Sequence, residues 1–135
     1  MPVKLEKKIV DCAVKSNVVI PLTPLAEREE SLSGATYKIK PPTSDHAIYV
    51  TINDHNGKPY EIFVNTKCPT HHSWLSAVTR LISAIFRTGQ DCSFVIDELK
   101  AVKDPSGGYF YPKMGYVDSV QAHIGIILER HINGR

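Results

Sequence analysis

No stretch of this chain stays apolar for the roughly 20 residues that a membrane-spanning helix needs. Met1 is followed by Lys4, Glu6, Lys7 and Lys8, with no apolar signal core. The expectation is a soluble, cytoplasmic protein with no membrane partner. Charge of one sign is missing too. The 16 basic and 14 acidic side chains are mixed along the sequence and leave a formal charge of only +2. No strong field is available to condense onto nucleic acid or anionic lipid, which excludes a charge-driven polyanion binder. Cys12, Cys68 and Cys92 form an odd set without a close pair. That suits a reducing compartment and excludes dithiol chemistry within the chain. Internal repeats and low-complexity tracts are absent as well.

What is present fits one folded unit. With 135 residues and 42% hydrophobic positions, a single core burying about two-thirds of the unfolded surface is expected. The most informative segment runs from Ala47 to Arg87. Ile48, Val50 and Ile52 alternate with Tyr49, Thr51 and Asn53, and Tyr60, Ile62 and Val64 alternate with Glu61, Phe63 and Asn65. Period two marks half-buried strands, and Asp54-His55-Asn56-Gly57 between them is a tight turn. Upstream, Lys4 to Ile20 reads as one or two strands, and Pro21 to Ser33 as an exposed, mobile connector rich in Pro and Glu. Thr36 to Lys40 reads as a short edge strand that Pro41-Pro42 ends.

Helices follow. Thr70 or Ser73 can cap a helix whose stripe is Trp74, Val78, Leu81, Ile82 and Ile85, and Gly89 can stop it in a left-handed conformation. Ser93 can cap a shorter helix presenting Val95, Leu99 and Val102, closed by Asp104-Pro105. Asp118 and Gln121 have capping-box spacing ahead of Val120, Ile124, Ile127 and Leu128, in a helix running to about His131. Strands first and helices later predict an α+β fold, an antiparallel sheet with about three helices packed on one face. The organisation expected is an N-terminal stretch of strands and connector over 1–32 and the α+β domain proper over 33–135.

Chemistry is sparse. Cys68, His71 and His72 are the best metal candidates, but a tetrahedral site needs about four ligands, and only Cys92, His46 and His123 remain to recruit. A solvated helix-start loop is the preferred reading, and His123 and His131 are expected at the surface. Cys68 and Cys92 each sit near a helix start whose dipole could lower a thiol pKa. Gly107-Gly108 lacks the Lys-Ser/Thr that a phosphate loop requires. The run Tyr109, Phe110 and Tyr111 either plugs the rim of the core or docks onto a partner. Arg80 and Arg87 lie close to one helical face and are weak phosphate-binding candidates. Together with Lys38, Lys40, Lys58 and Lys67, and with Tyr49 and Phe63 as stacking platforms, they keep open a nucleic-acid or nucleotide-binding module as the alternative function.

Several stretches resemble one family. They are Ser33-Gly34-Ala35-Thr36-Tyr37-Lys38-Ile39-Lys40, Tyr49-Val50-Thr51-Ile52-Asn53-Asp54, Pro59-Tyr60-Glu61-Ile62-Phe63-Val64-Asn65 and Thr79-Arg80-Leu81-Ile82-Ser83-Ala84-Ile85-Phe86-Arg87. Glu98-Leu99-Lys100-Ala101-Val102 and Asp104-Pro105 through Gly107-Gly108-Tyr109-Phe110 continue the series, and the start, Val3 to Val10, fits it as well. In this combination the chain resembles the TSCPD-type domain of adenosylcobalamin-dependent (class II) ribonucleotide reductases, closest to the small separate subunit of enzymes split into two chains.

The resemblance implies a non-catalytic accessory subunit. It would bind the large catalytic chain and support reduction of ribonucleotides to deoxyribonucleotides. Adenosylcobalamin and the active-site cysteines would sit on that partner, with no cofactor bound by this chain. The surface expected to meet the partner comprises Tyr37, Lys38, Lys40, Tyr109, Phe110 and Tyr111; self-association stays open. Two departures matter. The signature Thr-Ser-Cys-Pro-Asp is represented only by Cys68-Pro69-Thr70, and the paired-cysteine tail of longer relatives has no counterpart before Gly134-Arg135. No catalytic, redox-relay or zinc residue is therefore carried over.

Overall fold

Asn56 and Gly57 both take positive φ, 53° and 77°, the backbone of a two-residue turn whose twist suits a hairpin. They join β2 (Ile48–His55) to β3 (Lys58–Thr66). The computed structural model describes residues 27–134, so the strands expected between Lys4 and Ile20 and the connector up to residue 26 lie outside the described residues. β1 (Ser33–Ile39) pairs antiparallel with β2, giving the order β1-β2-β3. Ile48, Val50 and Ile52 are fully buried on one face of this sheet, as their alternation requires. The helices pack on that face. The expected α+β architecture is present, with one addition, a second sheet made of β4 (Tyr109–Tyr111) and β5 (Gly115–Val117).

Among the described residues the first helix is α1 (Pro69–Phe86), which lies along β3. Its N-cap is Cys68 with Pro69 in the first turn, in place of the expected Thr70 or Ser73; proline's fixed φ and missing N–H suit that position. The buried side chains are Leu75, Thr79, Ile82, Ser83 and Phe86, whereas Leu81, expected in the stripe, is 66% exposed. Two hydroxyls rotate the buried face away from the apolar pattern. Thr79 Oγ1 donates back to the Leu75 carbonyl at 2.9 Å. Ser83 Oγ accepts from Ile62 N at 3.0 Å and donates to Ile62 O at 3.1 Å, so it satisfies from within the core both backbone groups that Ile62 turns away from β2. Gly89, with φ 74°, ends the helix as expected.

α2 (Phe94–Lys100) stops before Val102, which is 37% exposed and not on the expected helical face. It packs on α3 (Val120–Ile132). Gly125 permits the approach, since a Cβ there would stand 2.9 Å from Leu99 Cβ. The cap of α3 is Ser119 and not Asp118. Ser119 Oγ accepts from Ala122 N at 3.0 Å and donates to Val102 O at 2.6 Å, tying the start of α3 to the end of α2.

Candidate functional site

Tyr109, Phe110 and Tyr111 form β4, not an irregular loop, and strand alternation gives the three rings different fates. Tyr109 points into the core, so its expected role as a partner anchor is corrected to a core one. Its hydroxyl shares a 2.9 Å hydrogen bond with His123 Nδ1. His123 is fully buried, contrary to the surface position expected of it. Desolvation, with Arg130 adding repulsion, pushes its pKa down to about 4, so the ring is neutral at neutral pH. Burial likewise pushes the Tyr109 hydroxyl above its ordinary range. Tyr111 meets the same imidazole edge-on at a centroid distance of 4.4 Å.

Phe110 is directed the opposite way and is 75% exposed. It pairs across the ladder with Tyr116, ring centroids 5.5 Å apart. Gly108 N donates to the Tyr116 hydroxyl at 3.0 Å. Gly108 itself has no room for a Cβ, which would collide with the Val117 carbonyl. Tyr116 is thus fixed at its hydroxyl, and Phe110 stands beside it on the outer face of the hairpin.

This hairpin is continuous with β1. Lys40 N donates to the Tyr111 hydroxyl at 3.2 Å. Among the described residues β1 pairs only with β2, so its other edge is open, as expected of an edge strand. Tyr37 is half-buried, and its hydroxyl lies 2.8 Å from His131 Nδ1. His131 Nε2 donates to both Asp54 oxygens at 2.9 Å. A carboxylate only accepts, so Nε2 holds the proton, and in the neutral ring Nδ1 accepts from Tyr37. His131, also expected at the surface, instead clasps β1 and β2 to the end of α3. Lys38 and Lys40 are exposed.

The other candidates do not converge. Arg80 lines a shallow groove along α1 with His72 and Leu81. Arg87 is not among its walls; its Nε donates to Ser83 O at 3.3 Å, and it helps hold the Glu61 carboxyl below the usual range. Cys68 caps α1, while His71 Nδ1 accepts from Trp74 Nε1 at 3.0 Å. Among the described residues no three His, Cys, Asp or Glu side chains are arranged to hold a metal ion. Cys92 borders a cleft of about 510 Å³ with Lys58, His55, Phe86 and Ile132. Its thiol is pushed up by burial and by Asp91, against the lowering expected from the helix start; a protonated thiol is a poor nucleophile.

Sequence reasoning missed Tyr116 and the Arg28–Glu61 clasp. Gly115-Tyr116-Val117 is too short for periodicity to register. Glu61 points outward as its alternation demands, yet Arg28 covers it, donating from Nη2 to Oε1 at 2.8 Å, while Asn53 Nδ2 donates at 2.9 Å.

The described residues form a small α+β domain with a projecting aromatic hairpin, a strand β1 that pairs on one side only among those residues, and Cys92 beside a cleft of about 510 Å³. The TSCPD domain family model matches residues 21–132, and the chain belongs to that family. No curated protein and no solved structure matches it. Among the described residues no helix is long and apolar enough to cross a membrane.

Proposed function

We propose that this chain is the accessory small subunit of a class II ribonucleotide reductase, docking on the large catalytic chain through the β4–β5 hairpin and the open edge of β1. The observation that carries this reading is Phe110, an aromatic ring three-quarters exposed on a hairpin whose every other ring is anchored. Exposed, pre-organised aromatics are the residues that supply hot spots in protein interfaces. The Lys40–Tyr111 hydrogen bond makes hairpin and strand edge one surface, and a partner strand can add to an open edge. Membership of the TSCPD family is consistent with association with ribonucleotide reductase.

In this reading the chain lends surface and the partner holds the reacting groups. Adenosylcobalamin belongs on the large chain. The cleft beside Cys92, about 510 Å³, is of the size that takes a drug-like molecule and is narrow for a corrinoid with its nucleotide and adenosyl arms. The test is ribonucleotide reduction by purified large chain with adenosylcobalamin, with and without this protein. The expected result is higher turnover in its presence; unchanged turnover defeats the proposal.

A further inference from the structure

The outer face of the three-stranded sheet is a grid whose rows the register fixes. Lys38, Tyr49 and Asn65 stand abreast, then Thr36, Thr51 and Phe63, then Gly34, Asn53 and Glu61. The core lies on the other face. Tyr49 is 42% exposed and Phe63 52%, and they are diagonal neighbours on adjacent strands, about 7 Å apart. One nucleotide of an extended single strand spans that reach, so two successive bases can each find a ring. Between the rings the Thr36 and Thr51 hydroxyls lie 2.8 Å apart, and beside Tyr49 a hollow of about 250 Å³ is lined by Asn65, His46 and Lys67. Among the described residues Lys38, Lys40 and Lys67 make no ion pair, whereas at the far end Glu61 is already matched by Arg28.

We propose that this face binds single-stranded nucleic acid, with bases stacked on Tyr49 and Phe63 and phosphates taken by Lys38, Lys67 and Lys40. Stacking on aromatics next to a few cations is the chemistry of sequence-tolerant single-strand binding. A protein partner fits less well, because the rest of the grid is hydroxyl, amide and lysine, and lysine is depleted from protein interfaces. The small net charge makes the binding stacking-led and only moderately sensitive to salt. The proposal stands independently of the reductase reading and uses the outer face of the sheet, which meets the proposed docking surface at Lys40.

The test is fluorescence anisotropy of a labelled oligothymidylate of about 12 nucleotides with the full chain alone, over a salt series. Saturable binding is expected at low salt. The log–log salt slope should be about −2, from three phosphate contacts at roughly 0.7 each in single strands. Tyr49→Ala and Phe63→Ala should each weaken binding about tenfold, Tyr49→Phe should retain it, and Lys38→Gln or Lys67→Gln should flatten the slope by about 0.7. All four positions are at the surface, so thermal melts should match the parent. Absence of saturable binding at the lowest salt overturns the proposal. Equal affinity for duplex, or binding that survives loss of both rings, overturns it too. Capture of the reductase's large chain by this face without any oligonucleotide affinity assigns it to a protein and likewise overturns it.

Discussion

The Tyr109 hydroxyl and His123 Nδ1 lie 2.9 Å apart beneath the aromatic hairpin, and the imidazole does not reach solvent at all. His123 Nε2 is buried with no hydrogen-bond partner among the described residues, so protonating the ring in place would strand a charge in the core. The folded pKa is about 4 against an ordinary 6.5. Between those values the unfolded chain binds a proton that the folded chain refuses. Stability therefore falls as pH drops through this window, by roughly 3 kcal/mol in all. Urea unfolding at several pH values between 7 and 4 checks this, and His123→Leu should flatten the profile. A parent profile that is already flat refutes the assignment.

Glu61 adds a second acid-sensitive contribution. The hydrogen bond from Arg28 holds its carboxyl below the usual range, so the stabilisation is present above the unfolded pKa and is lost as pH falls through the lower folded one. With the Arg28 side chain 45% exposed, solvent screening limits the contribution to about 1 kcal/mol or less. Glu61→Gln should cost that much at pH 7 and nothing once the parent's carboxyl is protonated, read from the same unfolding series.

His131 ties three elements together, so His131→Ala should cost more than a surface histidine would. Losing its hydrogen bonds to Tyr37 and to the Asp54 carboxylate, the latter charge-assisted, is expected to remove about 2–3 kcal/mol. The loss should be local. Hydrogen exchange should quicken in β1 before it does in β2, because Tyr37 is then no longer held to α3. Uniform exchange across the sheet would contradict the clasp.

Gly125→Ala should force α2 away from α3, at about 1–3 kcal/mol. The crowding atom is Leu99 Cβ, which remains in Leu99→Ala; relief must come from the helix backing away once the larger side chain no longer fixes it. The double variant is therefore expected to cost less than the sum of the singles in denaturant unfolding. Strict additivity would show that Gly125 serves some purpose other than close approach.

The β2–β3 hairpin, its turn and its buried face were legible because alternation and an Asn-Gly pair are local signals. So was the edge position of β1, given Pro41-Pro42. Caps were less so: Cys68 and Ser119 prevailed over Thr70 and Asp118 because tertiary contacts, such as Ser119 with Val102 O, choose among neighbouring polar residues. His123 and His131 defeated the surface expectation for a related reason. A histidine's burial depends on partners 14 and 94 residues away, Tyr109 and Tyr37, which no local pattern reveals. Of the run Tyr109 to Tyr111, the sequence could not say that Phe110 faces outward while Tyr109 is buried, since three-residue strands leave no period to count.

Sedimentation velocity of this chain mixed in equal amounts with a purified class II large chain tests the proposed docking through Phe110 and Tyr116. One faster boundary containing both chains is predicted, with Phe110→Ala weakening the complex by about 2 kcal/mol or more while the variant's own stability stays within about 0.5 kcal/mol of the parent. Two boundaries that move independently at all concentrations would contradict it.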